Sequence, residues 1–217
     1  MFAQFTLLDI ARYLALAARW TIVLTAASLA LGSFITALLL LFRFSFGRPA
    51  DMLCSAFTNL FEGTPLLMQL FLVFFALPLL GFEVPPGVAA VTCLTLYATA
   101  FLLDIWTGSI RAVPRGQWEA ARVLGLTYGQ TMARVVGPQA LRIATAPTVG
   151  FLVQLIKGTA LTSIIGFSEI TRVASVITNA TFEPFTVYGL AAVAYFLICF
   201  PLSLAARRLE GRMKCRS

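Results

Sequence analysis

Long apolar runs separated by short polar segments dominate the chain. The run 20–42 contains no charged residue and is long enough for a helix that crosses a bilayer, which needs about 20 mainly apolar residues. A second uncharged run, 187–206, ends at two consecutive arginines. Three further candidates, each containing an ionisable residue, are 55–80, 88–107 and 144–167. The pattern predicts an all-α integral membrane protein with about five transmembrane helices, forming a single domain over residues 1–217.

The segment between the third and fourth runs, within 111–142, is amphipathic. A helical periodicity places one set of residues on an apolar stripe and leaves Glu119 and Arg122 largely off it. That set is Trp118, Ala121, Leu124, Tyr128, Met132 and Val135. Gly125 interrupts the stripe, and Thr127 followed by Gln130 has the spacing of a capping box. We therefore predict helix, turn, helix; an ordinary amphipathic surface loop is the alternative.

Composition supports a membrane location. Hydrophobic residues make up 59% of the chain, charged residues 12%, and the mean hydropathy is +0.90. A soluble domain has an apolar fraction nearer one half. Although the net charge is +7, no aromatic-rich basic surface indicates nucleic-acid binding. The four cysteines lack CxxC spacing and histidine is absent, so neither a metal site nor a disulfide framework is expected.

The distribution of cations predicts the orientation, because cytoplasmic loops are enriched in Lys and Arg. With the C-terminus inside, only Arg12, Arg19 and Arg172 fall outside. The cations inside are Arg43, Arg48, Arg111, Arg115, Arg122, Arg134, Arg142, Arg207, Arg208, Arg212, Lys214 and Arg216. We expect the N-terminus outside, residues 1–19 along the outer interface rather than forming a signal peptide, and basic segments in contact with anionic lipid headgroups.

The chain lacks the residues for nucleotide hydrolysis. A phosphate-binding loop ends in Gly-Lys-Ser or Gly-Lys-Thr, and neither lysine, Lys157 or Lys214, follows that glycine pattern. Without histidine, a GxSxG turn or a suitable carboxylate pair, a membrane-embedded hydrolase is also unsupported. We expect a protein that is not an enzyme and holds no cofactor, and any energy source must be a partner.

Two apolar runs contain a charged residue followed by Gly-Thr. Glu62 precedes Gly63, Thr64 and Pro65, while Lys157 precedes Gly158 and Thr159. Ionisable residues within membrane helices are functional candidates, and interrupted helices often mark a translocation path. The alternative is that Lys157 snorkels or pairs with a neighbour and that both glycines are close-packing positions.

Several phrases carry a family resemblance. In order, they are GTPLLMQLFLVFF (63–75), IRAVPRGQWEAA (110–121), PQALRIA (138–144) and LIKGTALTSIIGFSEI (155–170), together with EAA and Gly125 followed by Val135 and Gly137-Pro138. The chain resembles, over most of residues 15–210, the permease subunits of polar amino acid ABC importers of histidine and glutamine type. Val135 and Gly137 stand where that family usually has Ile and Leu.

The resemblance implies a type I importer permease fold in the cell inner membrane. It makes Glu119, Ala120, Ala121 and Gly125 part of a coupling helix that rests in a groove of an ATP-binding subunit. Implied partners are two such ATPase subunits, which hold the ATP and magnesium, a periplasmic or lipid-anchored solute-binding protein, and a second permease copy or a paralogue.

The resemblance also places the segments Glu62–Pro65 and Lys157–Thr159 along the substrate path. Glu62 replaces the usual Arg and Gly158 the usual Asp or Asn, so a solute with a cationic group is expected if Glu62 faces the path. Asp104 is expected to pair across helices or with a loop arginine, with a substrate role as the alternative. Glu169 is a candidate contact for a binding protein or cationic substrate, or else a solvated loop residue. A passive channel, or a scaffold anchoring a peripheral protein, is the rival function.

Overall fold

The computed structural model describes residues 6–214, with side chains to 211, and its regular structure there is helical. The helices are α1 (Leu7–Phe46), α2 (Arg48–Gly63), α3 (Leu66–Leu79), α4 (Pro86–Arg111), α5 (Arg115–Val123), α6 (Tyr128–Ser163), α7 (Ile170–Thr181) and α8 (Pro184–Lys214). Within this part of the chain, four helices are long and apolar enough to cross a membrane, or five if the bent pair α2 and α3 forms one span.

Helix α1 is continuous over 40 residues and begins at a capping box formed by Thr6 and Asp9. Ile10 and Leu14, in its first three turns, are buried against α7 and α8, where Ile170 and Val187 complete the cluster. Residues 7–19 thus form one helix with the apolar run 20–42, and their position along the outer interface stays a prediction. Residues 1–5 lie outside the described part of the chain.

Helix α4 forms the centre of the bundle. Leu94, Ala98 and Leu102 are fully buried between α1, α3 and α6. The backbones of α1 and α4 approach closely at Gly32, where an added Cβ would lie 2.9 Å from the Cβ of Ala98. Small residues of this kind allow helices to pack tightly in a membrane, where the hydrophobic effect does not drive helix association.

The second apolar run is interrupted. Helix α2 ends at Gly63, Thr64 and Pro65 have extended backbone, and α3 leaves at 98° to α2. Pro65 lacks an N–H and disfavours helical geometry in the residue before it. The interruption predicted at this point is confirmed.

The last three helices only partly follow the predicted runs. The predicted span 144–167 falls largely in the C-terminal half of α6, whose final turn, Ala160–Ser163, tightens to a 3-10 helix. The interruption expected at Lys157 is therefore not a break like the one at Pro65. Helix α7 was not predicted, because its 12 residues combine apolar and polar positions without a long apolar run.

Candidate functional site

The hairpin between α4 and α6 is built by two local signals. Gly125 adopts a φ of +73°, and its N–H donates to the carbonyl of Arg122 at 2.9 Å while the N–H of Leu126 donates to that of Ala121 at 3.1 Å. This is a Schellman motif, which satisfies the last free carbonyls of α5. Thr127 and Gln130 then form a reciprocal capping box. The predicted helix, turn and helix are confirmed.

One side of the hairpin is fixed to the bundle. Ala121 is 2% exposed, and Trp118 packs on a small cluster whose buried members are Val113, Val136 and Ala140. The Trp118 ring stacks on that of Tyr128 at 6.2 Å between centroids. Tyr128 in turn contacts Phe44, near the end of α1, at 6.4 Å. The hairpin is therefore held against both α1 and α6.

The other side of the hairpin is open. Glu119 and Ala120 are exposed, as are Val123 and Leu124 at 87% and 77%. Leu124 and Ala121 share the predicted apolar stripe, but Leu124 is exposed whereas Ala121 is buried. A carboxylate, a small residue and two large apolar side chains thus form an exposed tip.

The helical turn before Gly137, where the resembled family usually has Leu, is wider than an α-helical turn. Residues Met132–Val136 form a π-helical turn, and the Gly137 N–H donates to the carbonyl of Met132. A Cβ at position 137 would lie 2.6 Å from that carbonyl oxygen. Glycine therefore permits the π turn, which joins the hairpin to α6.

The side chain of Gln69 bridges the break between α2 and α3. The Gln69 amide donates to the carbonyls of Phe61 at 2.9 Å and Thr64 at 3.2 Å, and to the Thr64 hydroxyl at 2.9 Å. The Thr64 hydroxyl donates to the Leu60 carbonyl at 2.7 Å. This role of Gln69 is not predicted from the sequence, where its only signal is a lone amide four residues after a proline in an apolar run.

Glu62 is exposed beside the break and interacts electrostatically with the carboxylate of Asp104, which is also exposed. Tyr97 lies near Glu62 and accepts a hydrogen bond from Gln154 at 2.6 Å. The structure brings together two carboxylates and a polar pair on one face of α2, α4 and α6.

Glu62 and Asp104 have no ion pair within residues 6–211. Neither Lys157 with Glu62 nor a loop arginine with Asp104 is among the ion pairs, which join Arg43 and Arg111 to Asp51. The predicted pairing of Asp104, across helices or with a loop arginine, is absent among the described side chains; Arg111 lies beside Asp51, in the first turn of α2, instead.

Residues 157–159 face different directions. Lys157 lines a groove of about 470 Å³ between α6 and α8, together with Tyr195, Cys199 and Arg207. Gly158 faces the break, and a Cβ there would lie 3.2 Å from the Leu66 Cδ2 atom. Thr159 is fully buried and donates to the Ile156 carbonyl at 2.7 Å. Gly158 therefore lies beside Leu66, the residue that directly follows the Gly63–Pro65 segment.

Glu169 is buried with 0% of its surface exposed. Its carboxylate accepts from the Arg172 N–H at 2.8 Å, capping α7, and from the Tyr195 hydroxyl at 2.6 Å. Burial raises the pKa of this carboxyl, and its hydrogen bonds partly oppose the rise. The expectation of an exposed Glu169, available to a binding protein or solvated in a loop, is wrong in this conformation because α7 and α8 enclose it.

Membrane-length helices, one of them interrupted, and an anchored hairpin with an exposed tip are features expected of the membrane-spanning subunit of a transport system. The chain belongs to the family described as binding-protein-dependent transport system inner membrane component, whose model matches residues 28–214. It is therefore a multi-pass inner membrane protein, and this family works with ATP-binding and substrate-binding partners.

Curated relatives are permease proteins of amino acid transport systems, which confirms the resemblance. The L-cystine transport system permease TcyB of Bacillus subtilis is 36% identical over 89% of this chain and 83% of its own length. The histidine/lysine/arginine/ornithine permease HisM of Salmonella typhimurium is 32% identical over 88% and 86%. The glutamine permease GlnP of Escherichia coli is 32% identical over 91% of each.

Solved structures share the fold. An amino acid ABC transporter crystallised with histidines matches with a TM-score of 0.88 and 29% identity over 96% of this chain and 99% of that one. The inward-facing MetNI methionine ABC transporter matches with a TM-score of 0.74 and 21% identity over 90% and 94%. The chain has the type I importer permease fold.

Proposed function

We propose that this chain is the permease subunit of an ATP-driven importer of polar amino acids or their derivatives. It performs no covalent chemistry. Two permease chains, identical or paralogous, form the path, two ATPase subunits supply energy from ATP and magnesium, and a periplasmic or lipid-anchored binding protein delivers the solute. The named relatives support an importer over a passive channel or scaffold.

The exposed tip of the hairpin carries this proposal. Glu119 and Ala120 are open while Ala121 is buried, so one face of α5 is free to enter a cleft of a partner. A short amphipathic helix in a groove is a common mode of protein recognition. Gly125 fixes the tip's angle, and the contact of Tyr128 with Phe44 links the tip to α1.

The orientation proposed from the cation distribution places this hairpin and the C-terminus in the cytoplasm and the N-terminus outside. Closure of the ATPase pair would then move the hairpins, and with them the interrupted helices, between outward-open and inward-open states. Energy from the partner would reach the path without a nucleotide site in this chain.

The substrate path is proposed to run along the segment Gly63–Pro65, with Glu62 beside it. It would pass Lys157–Thr159 in the other of the two transport states, after the helices have moved. Glu62 and Asp104 leave two exposed carboxylates without ion pairs among residues 6–211. An opposite charge would stabilise both, which favours a solute with a cationic group. Buried Glu169 would reach a solute only after α7 or α8 moves.

Co-purification tests the proposal. Tagged wild-type permease, expressed with the ATP-binding subunit encoded beside it, is expected to retain that subunit in detergent. Glu119→Lys is expected to lose it, because the reversed charge lies on the exposed docking face. Glu210→Lys, the same charge change at an exposed position in α8, is the matched control and should retain it.

Two results would contradict the proposal. Retention by Glu119→Lys equal to wild type would remove the docking role of the hairpin tip. If the folded wild-type protein retained no ATPase, the result would favour a channel or scaffold over an ATP-driven importer. Size-exclusion chromatography separates these outcomes from misfolding.

A further inference from the structure

A basic pocket of about 280 Å³ lies where the end of α1, the start of α2 and the end of α4 meet. Its charged lining residues are Arg43, Arg48, Arg111 and Asp51. Neither the docking tip of the hairpin nor the proposed substrate path includes any of them. The pocket therefore needs an explanation of its own.

The pocket keeps an excess of positive charge. Asp51 accepts a hydrogen bond from the Arg43 Nε atom at 2.6 Å and lies 3.7 Å from an Arg111 nitrogen. Arg43 also donates to the Thr107 hydroxyl at 3.1 Å, which fixes its guanidinium. Arg48 has no ion pair among the described side chains. One carboxylate cannot neutralise three guanidinium groups, so the pocket favours an anion.

The start of α2 adds to this preference. Its first turn has no side-chain cap, and Gly47 and Arg48, at that end, line the pocket. Pro49 has no N–H, so only Arg48 and Ala50 can offer free N–H groups here; these and the positive end of the helix dipole favour negative charge, of which Asp51 supplies one. Arginine side chains additionally match the geometry of phosphate oxygens.

The position of the pocket identifies the kind of anion. The uncharged run 20–42 ends directly before Arg43, so the pocket lies at a membrane boundary, on the side of the hairpin that follows Arg111. Within a few residues of the pocket along α1 and α2, large apolar side chains are exposed: Leu41 at 65%, Phe46 at 65%, Met52 at 73% and Leu53 at 63%. The basic pocket suits the charged headgroup of a phospholipid, and the exposed apolar side chains suit its acyl chains.

We propose that this pocket binds the phosphate headgroup of an anionic phospholipid, such as phosphatidylglycerol, whose acyl chains lie on the adjoining apolar surface. Basic pockets between membrane helices at this depth are suited to such headgroups. Phe44 lines the pocket and contacts Tyr128 of the hairpin, so the bound lipid adjoins the coupling element. The proposal does not depend on which solute is transported.

Thermal unfolding of the full-length chain in neutral detergent tests the site. Short-chain phosphatidylglycerol is expected to raise the unfolding temperature saturably, whereas phosphatidylcholine and inorganic phosphate at equal concentrations leave it unchanged. Arg48→Gln and Arg111→Gln should each weaken the apparent affinity roughly five-fold, the effect of one cation near an anionic lipid. Arg142→Gln removes an exposed arginine outside the pocket and should match the wild type.

Three results would overturn the proposal. Equal responses to both lipids would remove the headgroup preference, and a full response to inorganic phosphate would assign the pocket to free phosphate. An equal loss in Arg142→Gln would indicate general charge attraction. Native mass spectrometry of the wild type gives a second readout that needs no variant: retained anionic phospholipid is expected, and its absence would contradict the site.

Discussion

The side-chain amide of Gln69 donates to the main-chain carbonyl of Phe61, eight residues earlier, at 2.9 Å. The two residues lie on opposite arms of the break between α2 and α3, which meet at 98°. The same amide reaches the carbonyl and hydroxyl of Thr64. Since a helix end leaves carbonyls without partners, one side chain both satisfies these carbonyls and holds the two arms together.

Gln69→Leu is expected to destabilise the protein by about 0.5–1.5 kcal/mol, the net contribution of a typical intramolecular hydrogen bond, since the contacts it removes are exposed or only partly buried. Leucine is similar in size to glutamine but has no N–H group to donate to Phe61 and Thr64. Uptake by reconstituted transporter should fall as well, because the angle of the break is no longer fixed. Thermal unfolding in detergent and uptake in proteoliposomes measure the two effects.

Thr64→Val provides a comparison for Gln69→Leu in the unfolding measurement. It removes the hydroxyl that accepts from Gln69 and donates to Leu60 but leaves both carbonyl contacts of Gln69 in place, so its loss of stability should be the smaller of the two. An equal or larger loss in Thr64→Val would mean that the amide of Gln69 is not what closes the break.

The buried carboxyl of Glu169 predicts a pH dependence of stability. Its pKa is raised above the ordinary value of 4.5, chiefly by burial. The folded state therefore holds the proton more tightly than the unfolded state, and the stability this gives is fully present below pH 4.5. It is lost as the pH rises through the raised value. The unfolding temperature of the wild type should fall over that interval.

Glu169→Gln should flatten this fall, because the amide can still accept from the Arg172 N–H but does not ionise. Glu183→Gln, an exposed position that follows α7, serves as the control and should retain the fall. Thermal unfolding from pH 4.5 upward makes the comparison. If Glu169→Gln kept the full dependence, another group would have to be its source.

Lys157→Ala is expected to reduce uptake at least several-fold while leaving the ATPase bound. Its ammonium group is exposed in the groove between α6 and α8, where it can meet the carboxylate of a passing amino acid. Arg208→Ala removes an exposed cation that does not line this groove and should leave uptake unchanged. Normal uptake by Lys157→Ala, with the protein folded, would exclude it from the path.

Features set by neighbouring residues could be predicted from the sequence. The turn at Gly125 and the capping box at Thr127 depend on contacts within a few residues, and so does the interruption at Pro65. Local backbone geometry decides such features, and the residue types that permit it are few.

Features set by packing could not be predicted in this way. Asp51, rather than Asp104, receives the arginines because the ends of α1, α2 and α4 meet at that position. Glu169 is buried because Tyr195, 26 residues later, closes over it. The donor–acceptor pair of Gln69 and Phe61 exists only once the chain bends. Each depends on distances between helices that periodicity does not contain.

Helix α1 also has a mechanical consequence. It contacts α7 and α8 at Ile10 and the hairpin at Phe44, two points separated by about 50 Å at 1.5 Å of rise per residue. A continuous helix transmits rotation along its length, and each added or deleted residue would turn one end by about 100° relative to the other. Helix α1 thus fixes the rotation of the two ends of the molecule relative to each other, so the number of residues between Ile10 and Phe44 is constrained as well as their side chains.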